Sequence, residues 1–263
     1  MKNAIFNGIR ALHEHTALRA LPERLAVYFH ELEEHQWPAF ATAIKQLTGS
    51  GYRPADPDTF VSSTDGIGRL FVSFDDNYAS WHRAMPLLAE LGLTATFYVN
   101  TLPLAPGFSG ETHRGYFDRI AHVGEREALT ARMLREMRLL GHTIGCHTHS
   151  HLVLSTLPRN HWNEEIARSK SMLEDVLGEE IAHFSYPYGM RRFFSPALAD
   201  YCRELGFRTI ATGIPGLQTG GAPEPFALHR TRWNLSAPLA RNLTDIRIDG
   251  RLFERLTGRS AIG

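Results

Sequence analysis

The sequence predicts an α/β fold in which parallel strands alternate with helices and close into a barrel. Short apolar runs rich in Val, Phe and Ile alternate with longer segments whose apolar residues recur at helical spacing. Glycines follow most of the helical segments, as is usual at the C-terminal ends of helices. Six or seven such repeats fit a barrel better than an open sheet, although the pattern alone does not exclude an open sheet.

The individual elements follow from this periodicity. The first strand, over 25–30, ends in His30, and the helix over 37–48 has Pro38 in its first turn and stops at glycines. Residues 103–122 are rich in Gly and aromatic residues, and we predict an excursion over the surface there. The other predicted strands are 70–76, 93–99, 143–147, 181–186 and 207–212, and the other predicted helices are 4–21, 78–91, 128–140, 163–177 and 195–205.

The length allows one large α/β domain or two small ones, and we predict a single domain. The chain of 263 residues is predicted to have an N-terminal helix at about 4–21, a core at about 25–235 and a C-terminal extension at about 236–263. Lys plus Arg and Asp plus Glu both number 28, which argues against nucleic-acid partners. No uninterrupted apolar run indicates a signal peptide or membrane insertion, so we expect a cytoplasmic protein. The oligomeric state is left open.

The predicted strand over 70–76 ends in two adjacent carboxylates, Asp75 and Asp76. Like charges repel, and a metal cation resolves the conflict if one Asp binds it while the other remains beside it as a base. The alternative is a solvated strand end in which Asp76 caps the following helix. Because the C-terminal ends of barrel strands share one face, His30, Asn100 and the segment 186–188 are expected near this pair.

A cluster of histidines follows the predicted strand over 143–147. His147 and His151 are four residues apart, a spacing that brings both rings to one ion on a helical turn, whereas an extended run would align His147, His149 and His151. Two His and one Asp suit Zn²⁺ or another divalent ion and leave positions for water and substrate. The alternative is a His-rich surface loop. Cys146 is a possible thiolate ligand, but strand alternation favours a buried thiol.

Three motifs in order make the chain resemble the polysaccharide deacetylase family, or NodB-homology domain. They are Ser-Phe-Asp-Asp at 73–76, His-Thr-His-Ser-His at 147–151 and Tyr-Pro-Tyr-Gly at 186–189. The resemblance extends over about 27–233 and implies a distorted (β/α) barrel. It also implies metal-dependent hydrolysis of an acyl group, usually the N-acetyl group of a sugar.

The resemblance assigns a role to five residues. Asp75 matches the catalytic base, while Asp76, His147 and His151 match the metal ligands. Tyr188 matches the residue whose backbone N–H helps to bind the oxyanion. His149 falls at a variable position and is not counted as a ligand. The expected metal is Zn²⁺, with Co, Ni, Mn or Fe as alternatives.

The sequence departs from the family pattern at several positions. Asn77 replaces the usual Gly, which we interpret as a left-handed backbone tolerated by Asn. Ser185 stands where many members have an Arg that orients the base. Arg230, in a Phe-x-Leu-x-Arg segment at 226–230, resembles the Arg of members that lack the first one, and is expected to hold Asp75 from another strand.

The general acid of the best-known members is not evident in this chain. His229 is the first candidate for that role and His30 the second, and each can instead be a structural histidine. Arg191 and Arg192 follow the third motif, where they can meet a phosphate or carboxylate of a substrate or lie in a solvated turn.

The predicted function is removal of an N-acetyl group from a sugar, as a step in surface polysaccharide biosynthesis. Without an export signal, an intracellular nucleotide- or lipid-linked precursor suits the protein better than a finished polymer. Two alternatives use the same pocket: a deformylase or other hydrolase of linear amides, and an inactive carbohydrate-binding relative. An iron oxygenase with two His and one carboxylate is a third, but it does not need the second Asp.

Overall fold

A parallel sheet that curves into a nearly closed barrel forms the centre of the molecule. The computed structural model describes residues 22–122, 124–193, 195–215 and 223–247, with the side chain of 247 excepted. The predicted helix over 4–21 and most of the predicted C-terminal extension lie outside these ranges. The strands are β1 (Arg24–Phe29), β2 (Arg53–Pro54), β3 (Arg69–Asp76), β4 (Thr96–Val99), β5 (Thr143–Cys146), β6 (His183–Ser185), β7 (Thr209–Thr212), β8 (Leu228–His229) and β9 (Thr231–Arg232).

The segment 228–232 closes the sheet on itself. Neighbouring strands follow the order β8-β7-β6-β5-β4-β3-β1-β9, with β2 pairing β3 beside this path. β8 pairs with β7, and β9 pairs with β1, on either side of Arg230. Because β8 and β9 are consecutive in the chain, this one segment bridges both ends of the sheet. The predicted parallel barrel is therefore confirmed.

Helices and short helical turns surround the barrel. They include α1 (Trp37–Gly49), α2 (Pro57–Ser62), α3 (Ser80–Arg83), α4 (Met85–Glu90), α5 (Gly110–Arg119), α6 (Ala131–Leu139), α7 (Arg168–Leu177), α8 (Pro196–Glu204) and α9 (Leu239–Arg247). A π-helical turn, Asn163–Ala167, precedes α7. Over the described ranges, none of the helices combines the length and apolar character needed to span a membrane.

Two helical predictions differ from the structure. The helix expected over 78–91 is two helices, α3 and α4, because Pro86 lacks an N–H and its ring clashes with the carbonyl of the preceding turn. The predicted surface excursion over 103–122 contains α5, which buries Tyr116 and Phe117 completely. These two adjacent aromatic residues are its only buried side chains, so the segment has no helical apolar period to detect.

Alternation along β3 divides the core and points the chemistry inward. Leu70, Val72 and Phe74 pack in the main core under the helices, and Phe74 stacks between other rings of that layer. Phe71 belongs to a second, smaller cluster. Successive side chains of a strand face opposite sides, so Phe71, Ser73 and Asp75 face the barrel interior. The last of these lies at the C-terminal end of the barrel.

Candidate active site

Left-handed backbone conformations cluster at the C-terminal end of the barrel. Among the described residues other than Gly, φ is positive at Asp76 (90°), Thr148 (71°), His151 (60°) and Tyr188 (65°), and away from these motifs at Ala121 (55°). Side chains other than Gly avoid this region, and such outliers concentrate at functional sites. The positive φ ends the strand alternation at Asp76, so both carboxylates of the pair reach the same end of the barrel.

The sequence predicted a left-handed backbone at Asn77, but the left-handed residue is Asp76. The interpretation of Asn77 is therefore wrong. Asn77 is fully buried and uses its side-chain amide instead. Its Nδ2 donates to the carbonyl of Asn100 at 2.9 Å, and its Oδ1 accepts from the backbone N–H of Leu129 at 2.7 Å. These bonds tie the end of β3 to the end of β4 and to the segment before α6.

Asp76, His147 and His151 form the candidate metal site. One atom from each residue lies within 4.8 Å of the others. Asp76 Oδ1 is 3.6 Å from His147 Nε2 and 3.2 Å from His151 Nε2. Ligands of a tetrahedral zinc ion, each about 2.1 Å from it, are roughly 3.4 Å apart. The spacing of these atoms fits a divalent ion bound between them.

The hydrogen bonding of these three residues also fits a cation. Asp76 Oδ1 is buried with no hydrogen-bond partner, although its companion Oδ2 accepts from the hydroxyl of Tyr78 at 2.9 Å. A buried carboxylate oxygen without a partner is costly, and a bound cation would satisfy it. His147 Nδ1 lies 2.7 Å from the carbonyl of Ser185, which assigns the proton to Nδ1 and leaves Nε2 free as a ligand.

The charge states of this set favour a cation as well. Burial lowers the pKa of His151 to about 4, so its ring is neutral and able to coordinate. Burial on its own would raise the pKa of Asp76, but the electrostatic effect of His151 and His147 lowers it well below its usual range. The carboxylate is therefore ionised next to the neutral imidazole of His151, a donor pair that zinc and similar ions prefer.

Arg230 holds Asp75 with two parallel hydrogen bonds. Its Nη1 donates to Asp75 Oδ1 at 2.7 Å and its Nη2 donates to Oδ2 at 2.8 Å. Burial would raise the pKa of Asp75, but the adjacent guanidinium lowers it below its ordinary value. Asp75 is therefore ionised, oriented and next in the chain to the metal candidate Asp76, as a general base requires.

The remaining donors of Arg230 are satisfied by the barrel itself. Nε donates to the carbonyl of Thr212 at 3.0 Å, Nη1 to Ser73 Oγ at 2.9 Å and Nη2 to Ser185 Oγ at 2.8 Å. The guanidinium carbon also lies 4.8 Å from the ring centre of Tyr28 and 5.1 Å from that of Tyr98. Arg230 is completely buried, and its charge is balanced by Asp75 and by these ring faces.

The histidine segment is neither the helical turn nor the extended run considered from the sequence. The left-handed Thr148 turns the chain, so that the rings of His147 and His151 lie 5.2 Å apart while His149 faces elsewhere. His149 Nδ1 pairs with Thr101 Oγ1 at 2.9 Å, and its backbone N–H donates to Glu165 in the π-helical turn at 2.7 Å. His149 therefore has a structural position outside the metal triad.

Cys146 lies behind the site. Its thiol is buried, with Sγ 3.2 Å from Ser169 Oγ. Burial raises the pKa of the thiol to about 11. The buried thiol expected from strand alternation agrees with this placement.

The two candidate acids occupy different positions. His30 follows β1 at the same end of the barrel, and it is close enough to Asp76, Asp75 and His147 for their charges to act on it, although burial is the main cause that lowers its pKa. His229 precedes the inward-facing Arg230, and its Nδ1 pairs with Thr212 Oγ1 at 2.9 Å. By alternation its ring faces away from the barrel interior. The general-acid role of either residue stays a prediction.

Tyr188 borders the metal triad. Its ring is 44% exposed and lies 4.8 Å from the ring of His151. Its left-handed φ leads directly into Gly189, which contacts the backbone of Gly213 after β7 through a hydrogen bond of 2.9 Å. The third motif is thus anchored to the neighbouring strand.

Sequence reasoning missed the role of Tyr78 in this site. Its hydroxyl contacts Asp76 although its position two residues later in the chain carries no recognisable signal. Asn100 was expected at a strand end. Its contacts with the carbonyl of His147 and the hydroxyl of Tyr116 show how it supports the histidine segment.

Comparisons with known proteins agree with the fold. A family model described as polysaccharide deacetylase matches residues 63–210. The protein YxkH of Bacillus subtilis (strain 168) is 25% identical over 164 residues, which are 62% of this chain and 50% of the relative. The chain therefore spans about half the length of that curated relative.

Solved structures share the fold. The deacetylase PplD of Streptococcus pyogenes, solved in complex with acetate, has a TM-score of 0.67 and 17% identity, over 85% of this chain and 98% of that one. IcaB from Ammonifex degensii has a TM-score of 0.65 and 19% identity, over 86% of this chain and 98% of that one. These similarities concern the fold, whereas the family match covers more than half of the chain. With its three motifs placed around one end of a parallel barrel, the chain belongs to the polysaccharide deacetylase family.

Proposed function

We propose that this protein is a metal-dependent hydrolase that removes an N-acetyl group from a sugar. The observation that carries the proposal is the pairing of two differently held carboxylates. Asp76 presents an unpartnered oxygen to His147 and His151, while Asp75 is clamped by Arg230. One carboxylate is thus arranged for a cation and the other for a proton.

A divalent ion held by Asp76, His147 and His151 would supply an electrophile that polarises the acyl group and activates water. Asp75 would accept a proton from the attacking water, and its ionised state suits that role. Arg230 would keep both oxygens of Asp75 in position during this transfer. The backbone N–H of Tyr188 would donate to the oxygen that becomes negative, and His30 or His229 would return a proton to the leaving amine.

His30 is the better placed of the two candidate acids. It shares the end of the barrel with both carboxylates, whose charges favour its protonated form against the effect of burial. We further propose that zinc is the resident ion and that the protein acts in the cytoplasm. Its substrate would then be a precursor in surface polysaccharide biosynthesis.

The test combines metal content with acetate release. The purified protein is expected to contain one divalent ion, which His147→Ala loses and which the matched control His149→Gln retains. Acetate release from N-acetyl sugars and nucleotide sugars should be abolished in Asp75→Asn with the metal still bound. Acetate release unchanged in Asp75→Asn, or an unchanged metal content in His147→Ala, would overturn the proposal.

A further inference from the structure

Three exposed arginines near the candidate active site have no carboxylate partner among the described residues. They are Arg119 at the end of α5, Arg192 after the third motif and Arg232 at the end of β9. Elsewhere an ion-paired arginine is common in this structure: Arg69, Arg83, Arg126, Arg132, Arg138, Arg159, Arg168, Arg203 and Arg208 each contact an acid. The three arginines therefore add positive charge at one end of the barrel.

Arg192 reaches the metal triad through a continuous series of rings. Its guanidinium carbon lies 4.7 Å from the ring centre of Phe193. The Phe193 ring lies 5.6 Å from that of Tyr188, which in turn lies 4.8 Å from the ring of His151. A sugar that places its acyl group at His151 would therefore extend over Tyr188 and Phe193 towards this cation.

Arg119 approaches the same tyrosine from another element. Its Nη1 donates to the backbone carbonyl of Ser150, the residue before His151. Burial is the main cause that raises the pKa of Tyr188, and the charge of Arg119 acts against this effect. The guanidinium is thus within electrostatic reach of the exposed phenol ring.

Arg232 borders the site on the side of His30. It lies two residues after Arg230 and therefore faces the same side of the strand, but it is exposed whereas Arg230 is buried. Arg232 is in register with Tyr28 of β1. Burial is the main cause that lowers the pKa of His30, and the charge of Arg232 lowers it further. Arg232 is thus a second cation on the same side of this segment as Arg230, which holds Asp75.

Several acidic groups at this end of the barrel already have a partner. Asp75 is paired with Arg230, and Glu31, just after His30, lies 2.9 Å from His122 Nδ1. Asp76 belongs to the metal triad. A ligand that entered between the three arginines would meet guanidinium groups that are ion-paired with none of these carboxylates.

We infer that Arg119, Arg192 and Arg232 bind an anionic group of the substrate, so that this enzyme acts on an acylated sugar carrying a phosphate or a carboxylate. Guanidinium groups recognise both anions through paired hydrogen bonds. The inference rests on the proposed function and narrows it. A neutral homopolymer would leave the charge of all three arginines unused.

The experiment compares N-acetylglucosamine with its 1-phosphate, its 6-phosphate and the corresponding N-acetylated uronic acid. For the wild-type protein we expect kcat/KM to be higher for at least one anionic substrate, and the advantage to shrink at high salt. Arg119→Gln, Arg192→Gln and Arg232→Gln should each raise KM for that substrate about tenfold, with kcat little changed, because a charged hydrogen bond is lost. The values for N-acetylglucosamine should stay constant.

Arg203→Gln is the matched control. Arg203 also stacks on a ring, with its guanidinium carbon 4.2 Å from the centre of Phe226, but it lies on α8, outside the proposed anion site. Its substitution should leave KM for every substrate unchanged. Equal kcat/KM for neutral and anionic sugars in the wild type, or three Gln variants that behave as Arg203→Gln does, would overturn the inference while the deacetylase remained.

A binding measurement separates this inference from the proposed function. Calorimetry on Asp75→Asn with the same sugars reports anion recognition without turnover. If no sugar releases acetate but an anionic sugar binds and the arginine variants weaken it, the anion site stands and the deacetylase proposal fails. If neither the phosphates nor the uronic acid binds more tightly than N-acetylglucosamine, the anion site is refuted.

Discussion

The hydroxyl of Tyr78 donates to Asp76 Oδ2 at 2.9 Å, while Oδ1 of the same carboxylate faces the two histidines. One oxygen is thereby occupied and the other is left for a cation. The ring of Tyr78 is fixed in turn by His122, at 4.8 Å, and by Trp81, at 5.8 Å. Tyr78 is therefore a positioning residue that determines how Asp76 can coordinate.

Tyr78→Phe is expected to weaken zinc binding by about tenfold, because loss of an outer hydrogen bond to a ligand typically reduces metal affinity by 10- to 100-fold. Competition with a chromogenic chelator measures this directly. Tyr116→Phe is the matched control, since that buried hydroxyl contacts Asn100 at 3.0 Å rather than a ligand. Equal zinc affinities in the two variants would contradict the assigned role.

Replacing Arg230 by Gln should reduce the free energy of unfolding by about 3–5 kcal/mol, because it leaves the charge of Asp75 buried without its partner. Asp75→Asn removes that charge. The double variant should therefore lose less free energy of unfolding than the two single variants lose together. Urea unfolding of the wild type, the two single variants and the double variant gives the coupling free energy between the two side chains. Additive effects would show that the two side chains do not depend on each other.

Arg208→Gln provides a comparison for the Arg230→Gln variant. Arg208 also contacts an Asp with two nitrogens, but its side chain and that of Asp58 are about half exposed, at 51% and 48%. Exposed ion pairs contribute no more than about 1 kcal/mol. We therefore expect Arg208→Gln to change the free energy of unfolding far less than Arg230→Gln does.

Gly189→Ala is expected to destabilise the protein by about 1–3 kcal/mol, as overpacking commonly does. A Cβ atom at Gly189 would overlap the backbone of Gly213, 2.5 Å from its Cα, and the local φ of +59° is unfavourable for Ala. Gly49→Ala, at the end of α1 with nothing within 4 Å, should be neutral or stabilising. Thermal unfolding compares the two. Similar melting temperatures would refute the close packing at Gly189.

His142 should make stability depend on pH. Burial lowers its pKa to about 4, and its Nδ1 accepts from the backbone N–H of Ala95 at 3.2 Å. Between pH 6.5 and 4 the unfolded chain binds a proton that the folded protein does not. Stability is therefore lost as the pH falls through this window, by about 2 kcal/mol at pH 5 for this residue alone.

His142→Asn keeps a hydrogen-bond acceptor and cannot take up the proton. Urea unfolding at pH 7 and pH 5 should therefore show that the variant loses less free energy of unfolding than the wild type does. The difference should be about 2 kcal/mol. Parallel losses in the two proteins would show that His142 does not contribute to the pH dependence.

The predictable parts of this molecule are those encoded by local pattern. Alternating strands and helices indicated the barrel, and the motif positions of Asp75, Asp76, His147 and His151 placed the site residues at the strand ends. Pro86, which splits one predicted helix, is itself a local signal for that break. The helix α5 was missed because its core contacts come from two adjacent aromatic residues.

The remaining features depend on tertiary contacts. The φ of 90° is at Asp76 rather than Asn77, because Asn77 binds two other segments through its side chain. The contact of Tyr78 with Asp76 arises from the same turn. The partnership of Asp75 with Arg230 joins residues 155 positions apart and could be suggested only by resemblance to a family pattern.

The strand segment around Arg230 also gives the protein an order of assembly. A growing chain that has left the ribosome as far as residue 227 already contains Asp75 and the three residues of the candidate metal site. It does not yet contain the guanidinium that orients Asp75. β9 must then pair with β1, about 200 residues earlier in the chain, a contact that forms slowly because of its long sequence separation. The guanidinium of Arg230 is therefore brought to Asp75 only when β9 joins β1. Incomplete chains would carry Asp76, His147 and His151 without an oriented Asp75, which would couple assembly of the candidate site to completion of the barrel.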